Sequence, residues 1–246
     1  MSRFPTDEEF GCIQANYPTP ELELVPHDVA LLLCPKDFDG SFRRLEVDDW
    51  ILHLNNRMIQ VRDSYHLMMF YFDRGIPDKR PLLSPGENGE SITYFPDFSD
   101  DDHINKASFN FYADTFFSKL ASSWDTTGHL LHVAHQLQPD QNRISFASVV
   151  TKLNRSINSP GKKLYGLLKS QEYENFNRVR NDVTHNFLPG MFGGIVQRAD
   201  DGNKTSIVVG RYVTSDEIVK TARNALQIFN KTLCVAELRP PMPEPV

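Results

Sequence analysis

Two long stretches of the sequence carry apolar residues at helical spacing, and they constrain the possible folds most strongly. In residues 47–74 the apolar side chains recur every three or four positions, at Trp50, Ile51, Leu54, Met58, Val61, Tyr65, Met68 and Phe72. Residues 105–137 repeat the pattern through Phe109, Tyr112, Phe116, Phe117, Leu120, Trp124, Leu130, Leu131 and Val133. This period places the apolar residues on one face of a helix, and that face has to be buried. The sequence therefore predicts a mainly α fold, an antiparallel helical bundle.

Shorter segments complete the predicted architecture. Residues 1–44 contain several prolines and are expected to form an extended arm with one short helical piece at Val29–Leu33. Residues 75–102 form a loop with a short strand at 92–95, and Asp100, Asp101 and Asp102 are placed to cap the following helix. Further helices are predicted at residues 145–153, 164–168, 171–187 and 218–233.

One small β-hairpin is predicted near the C-terminus. Residues 193–197 and 206–209 are strand-like, and Asp200-Asp201-Gly202-Asn203 between them has the chemistry of a turn. We expect three parts in the chain. Residues 1–102 hold the arm, a long helix and a loop packed on the bundle, residues 103–236 form the bundle itself, and residues 237–246 form a disordered tail.

Composition excludes some classes of protein. The chain has 246 residues, of which 40% are hydrophobic and 24% charged, as in an ordinary globular protein. Its net charge of −6 argues against broad electrostatic capture of duplex nucleic acid, although a local basic cleft remains compatible with it. Cys12, Cys34 and Cys234 are far apart, so we expect reduced thiols and no structural metal. Without an apolar leader or membrane-spanning run, a cytoplasmic location is expected.

The most informative polar feature is the run Arg180-Asn181-Asp182-Val183-Thr184-His185 near the end of the predicted helix 171–187. Phe176, Val183 and Phe187 share one face of that helix, and Arg180 falls at the edge of this face. A guanidinium beside an apolar stripe needs a partner, because an unpaired buried charge costs several kcal/mol. The partner is either an acidic side chain of the fold or a bound phosphate.

Helix geometry limits how this run can act. Asn177, Asn181 and His185 are four residues apart and form one polar row. Arg180 and His185 lie roughly 140° apart on a regular helix, so a straight helix does not aim both side chains at one point. The reach of the arginine, fraying before Pro189, or a second copy of the run across a dimer would bring them together. The geometry favours a composite site.

Arginine, a polar residue, three arbitrary residues and histidine form the signature of the HEPN superfamily, and Arg180, Asn181 and His185 match it position by position. The resemblance covers residues 103–235. It implies a small helical bundle, commonly a homodimer, that acts as a metal-independent ribonuclease without a cofactor, with Arg and His facing a cleft between two protomers. Many toxin-type members carry a tyrosine two residues after the histidine, where a partner enzyme can modify it. Here that residue is Phe187, which puts this regulation in doubt.

The resemblance implies an endoribonuclease with Arg180, His185 and Asn181 as catalytic residues and RNA as its partner, in a toxin or phage-defence role with an antitoxin or regulatory partner. Substrate binding is assigned to Asn177, Arg178 and Asp125, although Asp125 is also a candidate to pair with Arg180. The alternatives are a catalytically inactive HEPN-like module for nucleotide binding or dimerisation, and a structural role in which acids anchor Arg180 and His185 caps its helix.

Other clusters have simpler explanations. His129, His132 and His135 recur every three residues, but the outer two lie about 120° apart on a helix, so the three cannot bind one metal ion from a regular helix. Gly128 weakens its helix by roughly 1 kcal/mol relative to alanine, which close packing of another helix would explain. Positive charge is concentrated near the Arg-His run and either forms a solvated face or guides phosphates, through Lys152, Arg155, Lys162, Lys163, Lys169, Arg178 and Arg180.

Overall fold

The computed structural model describes residues 4–34, 38–78, 82–85, 91–94, 98–137, 144–155, 160–185, 194–198, 205–209 and 213–240. The mainly helical character expected from the sequence is confirmed. The helices are α1 (Asp7–Asn16), α2 (Val29–Leu33), α3 (Phe38–Asp73), α4 (Asp100–Ala134), α5 (Phe146–Leu153), α6 (Gly161–Leu168), α7 (Gln171–His185) and α8 (Ser215–Val235), with a 3-10 turn at Pro20–Leu22. None of the described helices combines the length and the apolar character needed to cross a membrane.

Four short strands form two antiparallel pairs. β1 (Leu82–Pro85) pairs with β2 (Ser91–Tyr94), and β3 (Gly194–Arg198) pairs with β4 (Thr205–Val209). The sequence predicted one hairpin, whereas the structure describes two. The additional strand β1 ends in Pro85, and this proline-rich stretch was predicted as loop. A proline is tolerated at the end of an edge strand, where no ladder hydrogen bond is lost.

The two long helices α3 and α4 form the centre of the molecule. The ring of Trp50 stacks on His129 with centroids 4.4 Å apart, and Tyr71 stacks on Tyr112 at 5.7 Å. The later residue of α3, Tyr71, contacts the earlier residue of α4, Tyr112, so the two helices run antiparallel. Both helices contribute fully buried apolar side chains to the core, with Leu54, Met58, Val61, Met68, Phe109, Phe116, Phe117 and Leu120 all at 0% exposure.

A buried ion pair joins α4, α8 and the segment after α3. Lys106 Nζ lies 2.9 Å from Asp78 Oδ2, and both side chains are almost completely buried. The backbone N–H and the hydroxyl of Ser215, the first residue of α8, also donate to the Asp78 carboxylate at 2.9 Å. Asp78 therefore satisfies donors at the N-terminus of α8 while it neutralises Lys106.

The N-terminal region differs from its prediction as an extended arm with one helical piece. It contains α1 as well, which begins after Thr6 with a capping box formed by Thr6 and Glu9. In addition, α3 begins at Phe38 instead of residue 47. The prolines that suggested an extended arm lie outside the α-helices of this region, where they do not prevent helix formation.

The C-terminal segment after α8 is packed against the body of the protein. Leu238 is fully buried, and Arg239 Nη1 donates to the carbonyl of Glu21 at 2.9 Å and to Asn230 Oδ1 at 2.8 Å. These contacts differ from the prediction of a disordered tail starting at residue 237, because Arg239 finds acceptors on a distant part of the chain. Residues 241–246 lie outside the described residues.

Candidate active site on helix α7

Helix α7 is oriented by an aromatic cluster. Phe176 is buried, and its ring centroid lies 4.5 Å from that of Trp124 on α4. Tyr173, one turn earlier, packs edge-on against Trp124 at 5.2 Å. Burial of these rings, together with Val179, fixes the apolar face of α7 on α4. The polar residues between them are therefore held at the margins of that contact and on the outer side of the helix.

A cleft of about 300 Å³ lies along the contact between α4 and α7. We call it the α4–α7 cleft. It brings together one acidic residue, Asp125, one basic residue, Arg180, and the amide side chain of Asn177. Its remaining lining residues are Ala121, Trp124, Ser145, Ala147, Tyr173 and Phe176. Three of the residues predicted as site residues from the sequence thus share one concave surface.

Arg180 is partly buried at the edge of this cleft, in agreement with its place on the helix. Its Nη1 donates to Oδ1 of the adjacent Asn181 at 3.0 Å. Asn181 is a neutral partner, so this hydrogen bond directs the guanidinium without cancelling its charge. An arginine guanidinium carries five N–H donors in a planar fork, a geometry that pairs with two oxygens of a carboxylate or a phosphate.

Asp125 has a different partner from the one considered in the sequence analysis. Its Oδ1 accepts a hydrogen bond from the backbone N–H of Phe146, the first residue of α5, at 3.1 Å. The contacts described for Asp125 do not include the predicted ion pair with Arg180. Close packing at Gly128, one turn further along α4, makes the bond possible, because a Cβ there would lie 2.9 Å from the backbone of Phe146. Close packing of another helix at Gly128 is therefore confirmed.

Tyr173 lines the cleft as well, although it was not among the predicted site residues. Burial raises the pKa of Tyr173 to about 12; the charge of Asp125 acts in the same direction, while a hydrogen bond from Asn177 and the charge of Arg180 oppose it. The phenol thus lies within electrostatic reach of both charged residues of the cleft. The spacing of Tyr173 and Asn177, four residues apart on α7, was the signal that could have revealed this contact.

A second groove, of about 430 Å³, lies on the outer side of α7. Its described lining residues all belong to this helix: Gln171, Glu174, Asn175, Asn177, Arg178, Asn181 and Asp182. Arg178 is exposed there, with its Nη2 donating to Asn175 Oδ1 at 3.4 Å. The predicted substrate-binding residues are therefore divided between two surfaces, and Asn177 is common to both.

His185 is the last residue of α7. Its side chain lies outside the described part of the chain, as does Phe187. The backbone geometry of α7 retains the angular separation between Arg180 and His185 that the sequence predicted, since both belong to one α-helix. The roles assigned to these two residues remain predictions.

Other polar residues named in the sequence analysis lie away from this site. His129 stacks on Trp50, and burial lowers the pKa of His135. Within the described ranges, no group of three or more His, Cys, Asp or Glu side chains could hold a metal ion. Asp102 completes a capping box with Ser99 at the start of α4, so its role there is local. The basic side chains near α7 are mostly exposed, at Arg155, Lys162, Lys163, Lys169 and Arg178.

Comparison with known proteins identifies the family. A family model described as Cthe2314-like HEPN matches residues 50–236, which is more than half of the chain. Curated proteins and solved structures gave no match. The matched range begins at Trp50 within α3 and ends just after α8, so it includes the larger part of α3, all of α4, the α4–α7 cleft and the Arg180–His185 run. The chain belongs to this HEPN family.

Proposed function

We propose that this protein is an endoribonuclease that cleaves RNA without a metal cofactor, in a cleft between two protomers. The observation that carries the proposal is the position of Arg180. In a chain of the HEPN family, the arginine of the Arg-Asn-x-x-x-His run lines a cleft and is only partly buried. A phosphate that enters the cleft would therefore meet a permanently charged guanidinium.

The reaction proposed is attack of a ribose 2′-hydroxyl on the adjacent phosphorus. The new O–P bond closes a 2′,3′-cyclic phosphate, and the bond to the 5′-oxygen of the next nucleotide breaks. A base removes the 2′-hydroxyl proton, and an acid supplies a proton to the leaving 5′-oxygen. A histidine with an ordinary pKa near neutrality is suited to either task.

Each residue of the run has a distinct part in this reaction. His185 transfers the proton, and Arg180 stabilises the negative charge that develops on the phosphate oxygens. Asn181 orients the guanidinium through the 3.0 Å hydrogen bond to its Nη1. Arg178 and Asn177 bind flanking phosphates or riboses along the outer groove, where both are found.

A homodimer explains how the two proton transfers are performed when each chain contributes one His185 to the site. Two copies of α7 facing each other would place one His185 as the base and the other as the acid. The outer groove of α7 is the surface that would meet the partner. A toxin or phage-defence role, held in check by an antitoxin or another regulatory protein, follows from such an activity inside a cell.

The proposal is tested with purified protein and end-labelled RNA in the presence of EDTA. The wild type is compared with His185→Ala and Arg180→Ala, and with Arg155→Ala, an exposed arginine at the end of α5, as the control. We expect the first two variants to lose cleavage by about 100-fold or more, and the control to retain it. Wild-type products should carry 2′,3′-cyclic phosphate ends.

Equal cleavage by the wild type and both variants would contradict the assignment, because the activity would then come from elsewhere. RNA binding without cleavage by the wild type would favour the inactive nucleotide-binding module. Sedimentation of the same samples measures dimerisation independently. Expression of the wild type and His185→Ala in a bacterial host, scored for growth and intact total RNA, tests the toxin role.

A further inference from the structure

We infer that the α4–α7 cleft is a subsite that selects a guanine base next to a phosphate. The inference deepens the proposed function, and it rests on that function in placing the phosphate at Arg180. It concerns residues that lie beyond the Arg-His run, above all Asp125 and Asn177. The shared chemistry is a guanine base with an adjacent phosphate, whether in an RNA strand or in a free nucleotide.

The size of the cleft matches one nucleoside. Its volume of about 300 Å³ is at the lower end of the range for small-molecule pockets. The small side chains of Ala121 on α4 and Ala147 on α5 leave room for the cleft. The rings of Trp124 and Tyr173 form an apolar part of its wall. A flat heteroaromatic base suits a narrow cleft with apolar walls and few polar groups.

The carboxylate of Asp125 determines which base fits. Its described hydrogen bond uses Oδ1 and the N–H of Phe146, so acceptor capacity remains on the carboxylate. A carboxylate accepts hydrogen bonds and donates none. Guanine is the base whose Watson–Crick edge offers two neighbouring donors, N1–H and the N2 amino group, and it is therefore the base that pairs best with a carboxylate.

The other bases are disfavoured by the same argument. Adenine and cytosine each place an amino group beside a ring nitrogen acceptor, and the lone pair of that nitrogen would face a carboxylate oxygen. Uracil has one N–H between two carbonyl oxygens. In each case at least one acceptor is turned towards another acceptor, which removes the second hydrogen bond and adds repulsion.

Asn177 provides a second point of recognition. Its side-chain amide lines the cleft together with Asp125. An amide nitrogen carries two N–H donors, which suit the O6 acceptor of guanine. With the phosphate at Arg180, the base would be held at its N1–N2 edge, at O6 and through its phosphate.

The test is the affinity for guanosine, adenosine, cytidine and uridine 3′-monophosphates, measured by calorimetry with the full-length protein. The wild type should bind the guanosine nucleotide roughly ten- to hundred-fold more tightly than the others, the discrimination expected of one bidentate side chain–base pair. Asp125→Asn should abolish the preference. This substitution retains an oxygen for the Phe146 N–H, so the start of α5 stays capped.

A second variant tests the cleft without changing its charges. Ala147 is exposed on α5, and Ala147→Leu should preserve the helix while filling the space next to Asp125. We expect weaker binding of all four nucleotides. Circular dichroism and thermal melting of both variants confirm that they are folded. Equal affinities of the wild type for the four nucleotides, or an unchanged preference in Asp125→Asn, would overturn the inference.

A pair of short RNA strands distinguishes the two sources of guanine and separates this inference from the proposed function. His185→Ala is titrated with a pentamer containing a single G, a pentamer without G, and guanosine 3′-monophosphate. Tighter binding of the G-containing pentamer than of the mononucleotide indicates a subsite for RNA, and the reverse order indicates a site for the free nucleotide. A guanine preference without RNA cleavage by the wild type would contradict the proposed function and leave the guanine subsite standing. RNA cleavage without a base preference would contradict the guanine subsite and leave the proposed function standing.

Discussion

Two sets of opposite charges in this protein differ in how deeply they are buried and in the partners that they bind. Asp78 and Lys106 lie in the core at 1% and 6% exposure, in direct contact at 2.9 Å, and Ser215 donates two more hydrogen bonds to the same carboxylate. Asp125 and Arg180 line one cleft, where both side chains are only partly buried. Asp125 binds a backbone N–H and Arg180 binds a neutral amide.

The difference separates a structural use of charge from a use suited to ligand binding. Burial of a single ion is costly. Asp78 and Lys106 can both lie in the core because each is the charged partner of the other. Burial lowers the pKa of Lys106, and the nearby Asp78 opposes this effect. At the cleft, both charged side chains are partly exposed, so burial of their charges costs less and a ligand can reach them.

The core pair should dominate stability. Asp78→Ala would leave Lys106 buried without its described carboxylate partner and remove the acceptor at the start of α8. We expect the free energy of unfolding to fall by about 3–5 kcal/mol, measured by urea denaturation. As a control, Asp63→Ala disrupts the exposed Arg62–Asp63 pair at 3.6 Å and should change stability by less than about 1 kcal/mol. Similar values for the two variants would contradict the contrast between core and surface charges.

Tyr173 should make the cleft side of the molecule sensitive to alkali. Its pKa is raised to about 12 from the ordinary 10.0, so the folded state retains a proton that the unfolded state loses. The resulting stability is present below pH 10 and is lost as the pH rises to about 12. Two pKa units correspond to a loss of about 3 kcal/mol.

The measurement is denaturant unfolding at several pH values from 9 to about 12. Tyr173→Phe should remove this part of the pH dependence, whereas Tyr165→Phe on α6 should leave it unchanged. A curve for Tyr173→Phe that is parallel to the wild type over the whole range would show that the phenol is not held in its protonated form by the fold.

The packing between α4 and α5 should have a smaller effect on stability, with a consequence for the site. Gly128→Ala places a Cβ 2.9 Å from the backbone of Phe146, so α5 has to move. The expected loss is about 1–2 kcal/mol, since overpacking costs more than the helix gains from alanine. The displacement would also stretch the bond from Phe146 N–H to Asp125. Thermal melting and nucleotide binding measure the two effects.

Gly166→Ala is the matched control for this substitution. Gly166 lies in α6, and apart from its chain neighbours and the backbone of its own helix, no described atom lies within 4 Å of the position that its Cβ would occupy. The substitution should therefore stabilise the protein by roughly 1 kcal/mol. If Gly128→Ala were stabilising as well, the close contact between α4 and α5 would not be a rigid part of the fold.

Local sequence signals located most of the helices. The apolar period gave α4 within a few residues of its observed bounds, and the Thr214-Ser215-Asp216-Glu217 start of α8 appears as a capping box. The same motif, Thr6 with Glu9, precedes α1 in a region whose prolines favoured the prediction of an extended arm. The early start of α3 was missed because Gly40 and Ser41 are poor helix formers, and a few such residues do not prevent a long helix from extending.

The partners of the charged side chains could not be predicted from local sequence signals. Asp78 received no role in the sequence analysis, and its bond to Ser215 spans 137 positions along the chain. Asp125 was considered as a partner of Arg180, yet it caps α5. Both contacts depend on how helices pack, and many arrangements are compatible with the same local pattern. The spacing of residues within one helix, in contrast, correctly placed Arg180 at the edge of the buried face of α7.

The sequence by itself determined the helical character of the protein and the order of Arg180, Asn181 and His185 on a single helix, because both depend on residue types and on the fixed period of the α-helix. Only the tertiary structure decided which group of another helix shares a cleft with Arg180. That group is Asp125 of α4, and α4 meets α7 because their aromatic faces bury each other. A cleft forms where small side chains leave space in that contact, and its position is a property of the packing between helices rather than of any one of them.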